Sequence, residues 1–332
     1  MKRLLSRRHS LFAFGAACAT PTIVPSRAFG DTILPDKGLR IFVGFAAGGG
    51  ADKMARVIAP RLESRVGRHV SVENRPGGTA AIPGELLVKG PKDGSIVAFL
   101  ASTTLASKFI VNDFPFDPLT DIAAITIAGL SQTGLAVSPK IGVTAFADYL
   151  RWLKVDEPDR RRLGNTSSSA FVEVFGKLIG REIDVKLTTV PYRGAAPMVN
   201  DLQIGRLPAG VTAVTSLLEH HRGGRLRLLL TSGSKRSAMA PGVPTAAELG
   251  YPNLEVTEWF GFFASSAVPA PLIAEWNRHL RAVLADREVK AELVQLGLEV
   301  ETSTPEAAAA YVASYLRGWK DRIELVGMGP TN

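Results

Sequence analysis

The stretch that decides the fold covers residues 39–62 and reads LRIFVGFAAGGGADKMARVIAPRL. Its first five residues are mostly apolar and are rich in strand formers, which is typical of a buried strand. Three consecutive glycines follow, and the apolar residues after them recur at helical spacing: Met54, Val57, Ile58 and Leu62. The stretch therefore predicts a strand, a glycine turn and a helix, in that order.

The glycine turn predicts an anion site. Gly48, Gly49 and Gly50 let the backbone approach a ligand closely, and the start of a helix offers free N–H groups and the positive end of a dipole. Such a site suits a phosphate or a carboxylate. Neither a P-loop nor a dinucleotide fingerprint is complete here. Asp52 would repel a phosphate unless it stabilises the turn. In the alternative interpretation, the glycines only pack the turn against the sheet.

Residues 1–30 have the pattern of an export signal. A basic start is followed by an apolar segment over residues 11–19 and by small residues before residue 31. The segment SRRHSL at 6–11 resembles a twin-arginine signal, and an ordinary secretory signal is the alternative. Cys18 leaves a lipoprotein cleavage open as a third interpretation.

Removal of this segment changes the charge of the chain. The full chain carries a formal net charge of +8, but residues 1–30 hold five basic residues and no acidic one. The remaining 34 basic and 31 acidic residues leave only +3, so the composition gives no reason to expect nucleic acid as a partner. The single cysteine also leaves with the signal, and with it any thiol nucleophile or cysteine metal site.

Apolar runs alternate with helical stretches along the rest of the chain, which predicts an α/β fold with mostly parallel sheets and two domains. Ser102 and Thr103 follow a predicted strand over residues 95–100. Ligands collect beyond the carboxyl ends of such strands, so both hydroxyls are candidate ligand donors. The alternative is that they cap the next helix.

Two further turns precede predicted helices. Hydroxyl side chains fill the first of them, at Ser167, Ser168 and Ser169, and this combination with helix N–H groups suits a carboxylate. A serine-rich helix cap without a ligand is the alternative. The second turn contains Tyr192, Arg193 and Gly194. Arg193 could pair with a carboxylate or donate to backbone carbonyls that stabilise the turn.

A series of short motifs resembles one family over nearly the whole chain after residue 30. The chain is similar to the periplasmic receptors of tripartite tricarboxylate transporters, the Bug or TctC-like family. The motifs are FAAGGGAD at 45–52, VENRPG at 72–77, PKDG at 91–94, VPYRG at 190–194, VPT at 243–245, ELGYP at 248–252 and WFGFFA at 259–264.

This resemblance implies a type II periplasmic-binding-protein fold, in which two α/β lobes are joined by crossing strands and a small carboxylated solute lies in the cleft between them. Lobe 1 is expected over residues 31–130 plus 257–332, and lobe 2 over 131–256. The resemblance also implies a set of ligand-binding residues: Phe45, Ala47, Gly48, Gly49, Gly50, Asp52, Ser102, Thr103, Ser167, Ser168, Ser169, Tyr192, Arg193 and Gly194.

The function implied is capture of a carboxylate in the periplasm and delivery to membrane permease subunits of a tripartite tricarboxylate-type transporter. We expect a monomer, with no cofactor and no metal. Presentation of the solute to a signalling receptor is the alternative. An enzyme is less favoured, because the chain has no Gly-x-Ser-x-Gly elbow and His220–His221 are adjacent, which is a poor spacing for a metal.

The sequence departs from the family pattern at two places. Ala51 stands where the family usually has Ser or Thr. The segment LPAGVTA at 207–213 replaces a strand that usually carries an acidic residue. We hypothesise that an Asp at position 209 would alter ligand preference. Trp259 and Phe260 are expected to pack at the hinge or to line the cleft.

Overall fold

Ten strands form two five-stranded sheets in the part of the chain that the computed structural model describes, which is residues 32–165, 170–192 and 194–328. The strands of the first sheet are β1 (Leu39–Val43), β2 (Val70–Asn74), β3 (Ile96–Ala101), β4 (Ile122–Ser131) and β10 (Glu258–Ser265). The strands of the second sheet are β5 (Thr133–Val137), β6 (Arg162–Asn165), β7 (Thr188–Pro191), β8 (Ala209–Ala213) and β9 (Arg227–Thr231).

The two sheets share one plan. The strand order is β2-β1-β3-β10-β4 in the first and β7-β6-β8-β5-β9 in the second. Strands β2, β1 and β3 are parallel, as are β7, β6 and β8. The antiparallel strand is β10 in the first sheet and β5 in the second. In both sheets it is the strand through which the chain arrives from the other sheet.

Helices cover the faces of both sheets, as parallel strands require. They are α1 (Gly50–Val66), α2 (Ile82–Lys89), α3 (Ser102–Ala106), α4 (Phe146–Leu153), α5 (Ala170–Ile183), α6 (Ala195–Ile204), α7 (Val214–Arg222), α8 (Ala270–Ala285), α9 (Arg287–Gln295) and α10 (Pro305–Leu325). None of the helices in these described ranges combines the length and the apolar character needed to cross a bilayer.

Local sequence signals explain several helix ends. Helix α1 stops at Gly67, whose φ of 68° is a left-handed conformation that glycine adopts without strain. Helix α10 begins at Pro305, and the Thr304 hydroxyl caps it by accepting the Ala307 N–H. Proline is favoured at this first helical position because its missing N–H would have no helical partner there.

The chain passes between the sheets twice. The long apolar stretch 121–137 is divided into β4 and β5, with Gln132 between them. The return passage ends where β10 begins, at Glu258. The two passages touch, since the Gln132 side chain donates to the Lys235 carbonyl (3.1 Å) and the Ser232 N–H donates to the Thr133 carbonyl (2.9 Å).

The aromatic residues near the return passage pack into the core. Trp259 is fully buried, and its ring lies edge-on to Tyr311 and Tyr315 of α10. Phe260 stacks on Phe99 of β3 at 5.2 Å between ring centroids. For Trp259, hinge packing is therefore the confirmed interpretation. Trp276 of α8 is also a fully buried core residue.

Candidate functional site

Strand pairing places the predicted ligand-binding turns at facing edges of the two sheets. Phe260 pairs with Ala101, the last residue of β3, so the carboxyl ends of β1 and β3 lie at the edge where β10 begins. In the second sheet, Thr133 pairs with Ala213, so the carboxyl ends of β6, β7 and β8 lie where β5 begins. The two passages join these edges, so the turns after β1 and β7 both lie at the edges where the two sheets are connected.

The glycine turn is tight and exposed. The Gly49 N–H donates to the Ala46 carbonyl (3.2 Å), and Gly48 has a φ of 81°, a left-handed conformation that favours glycine. Ala47 and Gly48 are exposed, whereas Phe45 is half-buried against the apolar cluster beneath α1. The turn therefore presents backbone rather than large side chains to the space between the sheets.

The Asp52 carboxylate stabilises this turn from inside the protein. It is 3% exposed, and its oxygens accept the Gly48 N–H (2.8 Å) and the Arg56 Nε (2.9 Å). Arg56 also donates to the Asn74 side chain (3.2 Å), which in turn donates to the Phe45 carbonyl (3.0 Å). We call these residues, Phe45, Gly48, Asp52, Arg56 and Asn74, the Asp52 network.

The charge of Asp52 follows from the same contacts. Burial alone would raise the pKa of Asp52, but the hydrogen bonds from Arg56 and Gly48 outweigh it and hold the pKa below its ordinary value. Asp52 is therefore ionised at neutral pH. Its contribution to stability is complete above the ordinary carboxyl pKa and is lost as the pH falls through the lowered value. The Asp52 side chain stabilises the turn, and the Gly48 N–H is already occupied.

The N–H groups at the start of α1 that are left for an anion are those of Gly50, Ala51 and Asp52. They are the first N–H groups of α1, and within the described residues no acceptor takes them. A Cβ atom built on Gly50 would meet no described atom within 4 Å, so open space lies beside these donors. Helix α1 has 17 residues, and its dipole adds a favourable field for a negative charge at this end.

Ser102 and Thr103 lie at the same edge in different environments. Ser102 is the first residue of α3 and is fully buried, and its hydroxyl accepts the Trp259 N–H (3.1 Å). Its hydroxyl makes no side-chain cap, because the capping position of α3 is Ala101. Thr103 is half-buried. Ser102 thus fixes β10 against β3, and Thr103 is the more accessible hydroxyl of the two.

On the second sheet, Gly194 and Tyr192 differ in their exposure and in their hydrogen-bond contacts. Gly194 is exposed, has a φ of 102° and occupies the capping position of α6, with open space around it. The Tyr192 hydroxyl donates to Asp201 of α6 (2.8 Å). Burial, together with this bond, raises the pKa of Tyr192 to about 12. The Tyr192 side chain therefore stabilises α6, whereas Gly194 leaves exposed backbone at the start of this helix.

Four of the predicted ligand-binding residues lie outside the described residues: Ser167, Ser168, Ser169 and Arg193. The neighbouring elements are described. Strand β6 ends at Asn165 and α5 begins at Ala170, at the same sheet edge as α6.

The hypothesis for position 209 is wrong. Ala209 is fully buried, and it pairs with Val137, the last residue of β5, at the sheet edge remote from the passages. An Asp at this position would be a charge in the core and would not touch a ligand between the sheets.

Three residues that stabilise the turns of the candidate site were not predicted from the sequence: Arg56, Asn74 and Asp201. Asp52 and Arg56 are four residues apart on α1, a spacing that predicts a side-chain pair. The roles of Asn74 and Asp201 depend on contacts between elements, which no local pattern reports.

Two α/β lobes, two passages between them and helix starts at the facing edges define a two-lobed solute-binding protein. The chain belongs to the family described as "Tripartite tricarboxylate transporter family receptor", whose model matches residues 54–328. It is a periplasmic solute-binding protein of this TctC or Bug family, and the type II periplasmic-binding-protein fold is confirmed.

Individual relatives agree with this assignment. Protein BugT of Bordetella pertussis (strain Tohama I) is 27% identical over 295 residues, which are 88% of this chain and 90% of BugT. The solved structure of the periplasmic binding protein BugD is 25% identical, with a TM-score of 0.74 over 90% of this chain and 100% of BugD. The structure of R. palustris Rpa4515 with adipate is 25% identical, with a TM-score of 0.76 over 90% of this chain and 99% of that protein.

Proposed function

We propose that this protein captures a small carboxylate between its lobes and delivers it to the membrane subunits of a tripartite tricarboxylate-type transporter. The observation that carries the proposal is the set of three free N–H groups at the start of α1, beside open space, with the start of α6 at the edge of the second sheet where β5 begins. Two helix starts that face one space attract one anion from both sides. The binding of adipate by Rpa4515 supports a carboxylate as that anion.

Capture follows from lobe closure in this proposal. We place lobe 1 at residues 31–130 plus 257–332 and lobe 2 at 131–256, and the division of the strands into two sheets supports two lobes. The carboxylate first binds the start of α1 in the open cleft. Contacts with the start of α6 form only in the closed state, so the ligand shifts the population toward closure.

We also propose that the protein is exported to the periplasm and works as a monomer. The predicted signal in residues 1–30 lies outside the described residues and carries the protein to the periplasm. The receptor works as a monomer, which light scattering of the mature protein tests directly.

The experiment is a thermal-shift screen of the mature protein against adipate, citrate, succinate, aspartate, nicotinate, benzoate and terephthalate. A ligand at 100 times its dissociation constant stabilises the folded state by about 2.7 kcal/mol, which raises the Tm of a chain of this length by about 4 °C. A shift with at least one of these acids supports the proposal. A shift only with nucleotides or uncharged solutes would overturn it.

A further inference from the structure

Glu258 is a carboxyl group at the edge of the proposed ligand cleft. It is the first residue of β10 and pairs with Ser131, the last residue of β4 before the chain leaves the first sheet. The N–H of the next residue, Trp259, donates to Ser102 at the carboxyl end of β3. Glu258 thus lies at the same sheet edge as the glycine turn.

The strand order gives the separation between Glu258 and the start of α1. Strands β1 and β10 lie on either side of β3, so they are two strand spacings apart, or about 10 Å. A short-chain acid that binds at α1 and lies across β3 is therefore long enough to extend toward β10.

The Glu258 carboxyl has no partner within the described part of the chain. It is half-buried, and no described donor or cation hydrogen-bonds or pairs with it. Burial raises the pKa of Glu258 to about 7, since nothing compensates for the loss of water around the charge. An unpaired carboxyl in such a place costs stability, which is characteristic of groups retained for binding.

Among the described residues, no neighbouring charge compensates for the burial of Glu258. Ser131 of β4 and the residues at the start of α3, Ser102 and Thr103, do not titrate in the neutral range. On α10, Tyr315 senses the charge of Glu258, and burial, with this charge as a further cause, raises the pKa of the Tyr315 phenol so that it stays neutral. The protonation of Glu258 is therefore set by its own surroundings and by the ligand.

We propose that Glu258 is a specificity-determining residue that meets the end of the bound acid remote from α1 and selects ligands whose remote end donates a hydrogen bond. The inference rests on the proposed carboxylate function. An ionised Glu258 attracts a hydroxyl, amide or ammonium group and repels a second carboxylate. A dicarboxylate is accepted only when Glu258 holds a proton, which Glu258 then donates in a hydrogen bond to that carboxylate.

The test compares adipate with 6-hydroxyhexanoate, which have the same chain length and differ at one end. Calorimetric titrations are run near pH 6.5 and near pH 8.5 on the wild type, on Glu258→Gln and on Glu255→Gln, a control that removes a nearby hinge carboxylate. For the wild type, adipate binding is expected to weaken by at least about tenfold at the higher pH, because binding requires uptake of a proton. 6-Hydroxyhexanoate binding is expected not to weaken.

In Glu258→Gln, adipate binding is expected to lose this pH dependence, whereas Glu255→Gln keeps it. Equal pH dependence in the wild type and Glu258→Gln, or its loss in Glu255→Gln, would overturn the inference alone. Binding of another carboxylate but of neither six-carbon acid would also overturn it. If no carboxylate binds the wild type at either pH, the proposed function itself fails. The Tm of Glu258→Gln at the higher pH checks folding and is expected to be no lower than that of the wild type.

Discussion

Asp52 is a buried carboxylate that stabilises the turn of the proposed ligand site. We expect Asp52→Ala to lower the free energy of unfolding by about 1–3 kcal/mol, because the Gly48 N–H and Arg56 lose their acceptor. Ligand affinity should fall as well, since the turn that positions the Gly50 N–H is no longer fixed. Urea unfolding and calorimetric titration measure the two effects.

Asp93 supplies the control for this prediction. Its carboxylate accepts the Ser95 N–H (3.0 Å) and pairs with Lys37, and these contacts lower its pKa to about 2, but it lies in the turn before β3, at the sheet edge remote from the cleft. Asp93→Ala should reduce stability and leave affinity unchanged. An equal loss of affinity in both variants would mean that Asp52 acts only through global stability.

The raised pKa of Glu258 predicts how the free energy of unfolding depends on pH in the absence of any ligand. Its folded-state pKa of about 7 is above the ordinary value of 4.5, so the folded state binds the proton more tightly than the unfolded state. Its contribution to stability is therefore lost as the pH rises from about 4.5 to about 7. Relative to Glu258→Gln, the wild type should lose roughly 1–3 kcal/mol over this range. Parallel stability curves for the two proteins would contradict the raised pKa.

At the scale of the element, the start of α1 is the part of the site that a side chain can block. We expect Gly50→Leu to weaken carboxylate binding at least tenfold, or about 1.4 kcal/mol, because the new side chain occupies the open space beside the free N–H groups. Calorimetric titration measures the loss.

Gly242 provides the matched control for Gly50. A Cβ atom there also meets no described atom within 4 Å. Gly242 lies near Met239, whose carbonyl accepts a hydrogen bond from Arg222 at the far end of α7. Gly242→Leu should bind the ligand as the wild type does. Retained affinity in Gly50→Leu would show that the ligand lies elsewhere.

The elements themselves were largely predictable, since strand, glycine turn and helix follow from periodicity and from the positions of glycine. The assignment of donors within the turn was not. The sequence does not distinguish the N–H groups of Gly48, Gly49 and Gly50. In the structure, the Gly48 N–H donates to the Asp52 carboxylate, the Gly49 N–H donates to the Ala46 carbonyl, and the Gly50 N–H is free. That difference depends on Asn74 and Arg56, which reach the turn through tertiary contacts. The hypothesis that an Asp at position 209 would alter ligand preference was wrong because the sequence does not show which end of β8 lies at the cleft.

At the scale of the whole molecule, the end of α10 links the two lobes. Helix α10 packs on β4 of the first sheet, while Arg322 donates to the Glu255 carbonyl (2.8 Å) in the return passage. Arg181 of α5 donates to the Leu325 carbonyl (3.0 Å) at the end of the same helix. The last turn of α10 is thus bound to the hinge and to the second lobe.

This link predicts a difference between two arginines of α10. Arg322→Ala should lower the free energy of unfolding by about 1–3 kcal/mol, because the part-buried Glu255 carbonyl in the hinge loses its donor. Arg317 is exposed on the same helix, so Arg317→Ala should change stability by less than about 0.5 kcal/mol. Urea unfolding of both variants measures this difference, and equal effects would contradict a role for Arg322 in the hinge.

The central claim is that the ligand is held by its carboxylate, and the most direct test is calorimetric titration of the wild type with a binding acid and with the primary amide of that acid. The two have nearly the same shape, but only the acid carries the charge that the starts of α1 and α6 favour. Because a hydrogen bond to a charged group is worth roughly 1 kcal/mol or more over a neutral one, we expect the acid to bind at least about tenfold more tightly. Equal affinities for the acid and the amide would contradict the account.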